Sequence, residues 1–244
     1  MTAPIVLIVG AGDYIGAAIA RRFAQGGFVV CLARRNGDKL TSLVNEIAAS
    51  GGVAYKFSMD ARDEEQTADL FKTIERDIGA LDLVIFNVGG NVHFPILETT
   101  SRVFRKVWEM ACFAGFLTGR EAARYMVPRG RGKVFFTGAS ASLRGKSGYS
   151  AFAAGKAGLR MVAQSMAREL GPQNIHVAHL IIDAAVDTDF IRERFRAQGN
   201  DRDRLPGDSL VNPSSVAEAY WSLYHQRKDG WSHELDLRPF SETW

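Results

Sequence analysis

The chain has 244 residues, 46% of them hydrophobic, and 30 Lys and Arg stand against 27 Asp and Glu for a net charge of +3. That size and apolar share suit one α/β domain spanning 1–244. So mild a charge excess argues against a nucleic-acid or membrane-surface partner, and no window approaches the roughly 18 apolar residues of a membrane span.

The N-terminal MTAPIVLIVGAG has no basic leader, and its short apolar run ends in glycines. It reads as a strand, not a signal peptide. Cys31 and Cys112 both lie in apolar stretches. Buried reduced thiols suit a reducing compartment, and a cytoplasmic protein is expected.

Apolar runs then alternate with helical periodicity to the end of the chain. Strands are predicted at Ile5–Val9, Phe28–Ala33, Val53–Phe57, Leu83–Asn87, Lys133–Thr137, His176–Ile182 and Leu235–Leu237. Helices are predicted at Ile15–Gln25, Lys39–Ala49, Glu64–Ile78, Val103–Met126, Ser150–Leu170 and Ser214–His225. Strands apolar on both faces and joined by helices imply a doubly wound (Rossmann) parallel sheet of about seven strands with helices on both faces. Its ligand crevice lies at the carboxyl ends of the strands. Arg194–Pro213, rich in Arg, Asp, Gly and Pro, is irregular. Following the sixth strand, it is read as part of a lid at about 188–213, with a plain surface loop as the alternative.

The first strand runs into Gly10-Ala-Gly12-Asp-Tyr-Ile-Gly16 and then a helix. Gly10 permits the tight turn, Gly12 lets backbone amides approach a pyrophosphate, and Gly16 lets the helix pack close. Asp13 is an odd neighbour for phosphates, so its carboxylate is expected to point to solvent. The second strand ends in Arg34-Arg35 with no acid for a ribose hydroxyl. Two guanidiniums there suit a 2′-phosphate and favour NADP(H) over NAD(H). Asp60, after the third strand, either accepts from the adenine amino group or caps the next helix.

Together these residues resemble the short-chain dehydrogenase/reductase family over nearly the whole chain. Gly10, Gly12, Gly16, Arg34, Arg35 and Asp60 match its cofactor half, and Asn87-Val-Gly89-Gly90 matches its Asn-Asn-Ala-Gly motif. Phe152-Ala-Ala-Gly-Lys156 matches Tyr-x-x-x-Lys, and Asp183-Ala-Ala-Val186-Asp-Thr188 occupies the Pro-Gly-x-x-x-Thr segment. The resemblance assigns Tyr14, Ile15, Ala61, Val88, Gly89, Lys156, Asp183, Val186 and Thr188 to the cofactor as well. It also implies a small-molecule substrate and a homodimer or homotetramer built through Val103–Met126 and Ser150–Leu170.

In that family a tyrosine exchanges a proton with the substrate oxygen, a lysine lowers its pKa, a serine orients the substrate and an asparagine holds a relay water. Here the tyrosine position is Phe152, the serine position is Ala139 or, with a turn one residue shorter, Ser140, and the asparagine position is Cys112. Tyr14 stands nearest the middle glycine of the first turn, and Asp183-Ala184 replaces the Pro-Gly pair.

Lys156 remains as a cofactor anchor and Ser140 as a substrate contact. The proton donor's role falls to Tyr149, His93 or a water. Tyr149 lies seven residues before Lys156, about two helical turns away. It is a substitute acid or a pocket-wall aromatic. His93 follows Gly90 by three residues, where an imidazole would be a suitable acid. His176 and His179 read as core or sheet-edge residues, His225 and His233 have no metal-ligand spacing, and no catalytic metal is predicted. Asp183 either faces the nicotinamide or bonds its own loop; Thr188 either bonds the cofactor or caps a helix from Asp189. The expected activity is an NADP(H)-dependent oxidoreductase acting on a carbonyl or alcohol with a non-standard proton donor. The alternative is a catalytically degenerate NADP(H)-binding protein, acting as a redox sensor or structural partner.

Overall fold

The computed structural model describes residues 3–197 and 208–242. Its strands are β1 (Ile5–Val9), β2 (Val29–Arg34), β3 (Val53–Ser58), β4 (Leu81–Phe86), β5 (Gly132–Thr137), β6 (Ile175–Ile182) and β7 (Glu234–Leu237). They form one seven-stranded sheet in the order β3-β2-β1-β4-β5-β6-β7. Every neighbouring pair is parallel. Successive strands step outward one way from β1 to β3 and the other way from β4 to β7. The reversal between β1 and β4 opens a crevice at the strands' carboxyl ends.

The helices are α1 (Ile15–Gln25), α2 (Thr41–Ala49), α3 (Glu64–Asp77), α4 (Ser101–Trp108), α5 (Ala114–Arg129), α6 (Ser150–Leu170), α7 (Asp189–Ala197) and α8 (Pro213–His225). Strand alternation assigns them to two layers. Val6 and Ile8 of β1 join Phe23 of α1, Ile47 of α2 and Tyr220 of α8 in one buried cluster. Ile5, Leu7 and Val9 turn the other way, onto Phe71 of α3, Met126 of α5 and Leu159 of α6. β3 departs from the two-sided apolar pattern because it is the sheet edge, where Val53 and Tyr55 are exposed.

Two further differences bear on the site. The predicted helix Val103–Met126 is interrupted: a π-turn, Glu109–Phe113, separates α4 from α5. One extra residue in the turn slips the 3.6-residue period, and such turns are frequent at functional sites. The expected lid at about 188–213 contains α7, and Val186 pairs with Val211 in a parallel bridge. Residues 198–207 of the expected lid lie outside the described residues.

Candidate active site

The switch point holds a cleft of about 510 Å³ lined by Gly10, Gly12, Arg34, Arg35, Asp60, Ala61, Asn87, Val88 and Gly89, all singled out in the sequence. It is also lined by Asn36, Lys39, Arg62 and Met110, which were not. Gly10 sits at φ +88°, and a Cβ there would stand 2.7 Å from the Asn87 carbonyl oxygen, so the turn needs glycine. A Cβ on Gly12 would meet nothing within 4 Å, which leaves the turn's face open. The Asn87 side chain is used internally: Nδ2 donates to the Gly10 carbonyl (3.1 Å) and Oδ1 accepts from Thr137 (2.9 Å).

At the basic end, Arg34 donates to Asp13 (2.9 Å). Asp13 is 71% exposed yet not simply solvent-directed, because it orients one guanidinium of the pair. Arg35 and Lys39 supply the exposed cations beside it. Lys39 sits in the 3-10 turn Gly37–Leu40, which Asn36 caps by accepting from the Asp38 amide (3.1 Å). The signal missed in the sequence was this Asn-Gly-Asp-Lys turn directly after β2. Asp60 does not cap α3; Asp63 does, accepting from the Gln66 amide (3.0 Å). Asp60 is gripped by Arg62 at 2.5 and 3.0 Å, which holds its carboxyl below the usual range.

The cofactor-assigned residues Tyr14, Ile15, Gly16, Lys156, Asp183, Val186 and Thr188 are not among the cleft's lining residues. Ile15 and Gly16 open α1. Tyr14 turns its phenol to Asp189 at the start of α7 (3.0 Å), and that bond raises its pKa. Thr188 is a helix cap: its Oγ1 accepts from the Ile191 amide (3.2 Å). Asp183 reaches beyond its own loop. Its carboxylate, 1% exposed, takes Arg144 at 2.7 and 3.0 Å and has Arg238 at 3.6 Å. Burial opposes its charge, but bonds from Arg144 and Ser140 prevail and hold the pKa low.

Lys156 is 3% exposed. Its Nζ donates to the carbonyls of Thr137 (2.8 Å) and Val88 (3.1 Å), at the ends of β5 and β4. Burial pushes its pKa down to about 8. An ammonium has three donors, so one N–H remains beyond these two carbonyls. Phe152, four residues earlier on α6, is buried with Val107 and Ala151, and Val92, Ala139, Ala141 and Tyr149 pack against them. Cys112 lies buried in the π-turn, where desolvation raises its thiol pKa. The two proton-donor candidates, 56 residues apart in sequence, meet here: the His93 and Tyr149 rings lie edge to face, centroids 5.1 Å apart. Ser140 is half-exposed beside Asp183, whereas Ser142 is buried and accepts from the Ala139 amide (3.1 Å).

A profile of the short chain dehydrogenase family matches residues 4–199. The chain belongs to the short-chain dehydrogenases. It is an oxidoreductase of that type and binds a nicotinamide cofactor, which the open glycine turn and basic-ended cleft fit. A short-chain dehydrogenase from Rhodopseudomonas palustris has a similar structure, with 52% identity and a TM-score of 0.84 over 98% of this chain and 100% of that one. The 2-dehydro-3-deoxy-D-gluconate 5-dehydrogenase of Formosa agariphila is 32% identical over 231 residues, 88% of this chain and 87% of its own. A metagenomic short-chain oxidoreductase in complex with NADP shares the fold at 23% identity, with a TM-score of 0.82 over 98% of each chain. Among the described residues no helix is long and apolar enough to cross a membrane.

Proposed function

We propose that this short-chain dehydrogenase is an NADP(H)-dependent enzyme that interconverts a carbonyl and an alcohol, with its proton donor moved to the His93–Tyr149 pair. The meeting of those two rings beside Lys156's helix carries the reading. When bound, the nicotinamide supplies or accepts the hydride. The chain's own residues do the rest. Arg34, Arg35 and Lys39 hold a 2′-phosphate by charge-assisted bonds. Lys156, fixed by two carbonyls, offers its remaining N–H to a ribose hydroxyl and keeps a cation near the reacting end. Ser140 orients the substrate oxygen, and His93 or Tyr149 exchanges the proton with it, directly or through one water. Phe152 has no proton to give. It takes the family's tyrosine position in a buried apolar cluster that Ala139, one of the two residues open to the serine position, packs against.

A titration of the purified chain tests the cofactor: NADPH is expected to bind at least tenfold tighter than NADH, as one or two charge-assisted bonds would provide. Turnover is tested by following NADPH oxidation across a carbonyl panel that includes ketones and polyhydroxylated keto acids, the latter because of the class named for the Formosa relative. The burial of Phe152 at the tyrosine position favours one second reading, a dinucleotide-binding protein without turnover. Binding without oxidation of any carbonyl, together with activity gained by Phe152→Tyr, decides for it. The exposed aromatic side chains Phe104, Trp108 and Phe116 on α4 and α5 support a homodimer or homotetramer through those helices.

A further inference from the structure

Tyr220 on α8 is fully buried, and its hydroxyl lies 2.7 Å from Thr137 Oγ1. A buried phenol needs a polar partner, and this one continues into a chain of bonds. Thr137 Oγ1 donates to Asn87 Oδ1 (2.9 Å), and Asn87 Nδ2 donates to the Gly10 carbonyl (3.1 Å). The same carbonyl accepts the Gly12 amide (2.8 Å), the bond that closes the glycine turn at the cleft.

The direction of every bond follows from the last one. A backbone carbonyl only accepts, so Asn87 presents its amide nitrogen to Gly10 and its oxygen to Thr137. The Thr137 hydroxyl has one proton, and it goes to that oxygen. Tyr220 therefore donates to Thr137, and burial, which raises its pKa, keeps the phenol protonated. Removing any one member leaves a buried polar atom unpaired.

Alternation along β5 explains how α8 reaches the turn. Phe135 and Thr137 face the α8 layer, where the Phe135 and Tyr220 rings stack with centroids 6.1 Å apart. The Thr137 carbonyl meanwhile accepts from Lys156 of α6, on the opposite layer (2.8 Å). From these contacts we propose that Tyr220 is a positioning residue for the dinucleotide: through Thr137 and Asn87 it fixes the Gly10 carbonyl, and with it the open face of the glycine turn. Tyr220 does not line the cleft and acts only through that chain. The inference rests on the glycine turn holding the diphosphate that NADPH and NADH share.

The test titrates NADPH and NADH separately into the full chain by calorimetry, with the melting temperature of each variant read alongside. Tyr220→Phe is expected to weaken both coenzymes about fivefold, as the loss of one hydrogen bond would. Thr137→Val should show the same loss, Tyr220→Phe should add little to it, and Thr137→Ser should restore the affinity. Leu223→Ala, buried on the same helix but outside the chain, should lower the melting temperature without weakening either coenzyme. Unchanged affinity in Tyr220→Phe, an equal loss in Leu223→Ala, a loss confined to one coenzyme, or losses that multiply in the double variant overturn the proposal. If Tyr220→Phe does not fold, the two Thr137 variants decide: rescue by serine upholds the proposal, and equal affinities overturn it. A wild type that prefers NADH overturns the NADP(H) reading, while an equal loss for both coenzymes still upholds this one.

Discussion

Lys156 shows what a local pattern does and does not reveal about one residue. Its spacing on α6 was legible in the sequence, because a lysine in that register is a local pattern. Its partners were not, since Val88 and Thr137 lie 68 and 19 residues away and only the parallel β4–β5 pairing brings their carbonyls together. Those carbonyls orient the ammonium without neutralising it, and burial brings its pKa to about 8. The sign follows directly. Below about pH 8 the group is a cation that attracts an anionic dinucleotide, and above it that attraction is lost. NADPH affinity is expected to fall severalfold as pH rises from 7 to 9 in a calorimetric series, and Lys156→Met should bind weakly with that pH step absent. Asp60 and Thr188 show that a local motif admits more than one use. Neighbours two or three residues away decide between them: Thr188 accepts from the Ile191 amide, and Asp60 pairs with Arg62 while Asp63 caps α3.

At the scale of elements, α6 runs Ser150–Leu170 as its amphipathic pattern predicts. α4 and α5 were merged in the sequence reading because the π-turn between them leaves no break in apolar content, only a slip in period. α7, Asp189–Ala197, runs two residues beyond the helix Asp189–Phe195 that a cap at Thr188 implies. Its docking was invisible because Tyr14 and Asp189 are 175 residues apart. That contact joins the glycine turn to the element after β6. If a dinucleotide's diphosphate lies on that turn, the contact and its carboxylate would stand beside the way in. Tyr14→Phe removes two exposed hydrogen bonds, the one the phenol donates to the Asp189 carboxylate and the one it accepts from the Asp189 amide. In stopped-flow mixing with NADPH, the association and dissociation rates are both expected to rise on the order of fivefold, with the dissociation constant changing much less. Unchanged rates would show that the contact does not gate entry.

The whole molecule was the most legible level. Alternating strands and helices determine one parallel sheet covered by helices on both faces, and the handedness of crossovers leaves few ways to order it. What composition does not reveal is the polar load carried inside. His179 is fully buried on β6 with both ring nitrogens lacking a hydrogen-bond partner among the described residues, and His176 is 2% exposed. Burial pushes both pKa values down to about 4. The folded state keeps these rings neutral while the unfolded chain protonates near pH 6.5. Their contribution is therefore complete above pH 6.5 and is lost as pH falls toward 4, by on the order of a few kcal/mol. Thermal unfolding is expected to show a melting temperature that drops through that window, and His179→Leu should shallow the drop.

The central claim is that the proton exchanged with substrate passes through the His93–Tyr149 pair beside Lys156's helix, not through position 152. The most direct measurement is the single-turnover rate of NADPH oxidation against pH for the wild type, His93→Ala and Tyr149→Phe, using a ketone the wild type reduces. The account predicts a pH-dependent wild-type rate and at least a tenfold loss in one of the two variants, with its pH dependence abolished. Wild-type rates and an unaltered pH profile in both variants would contradict it.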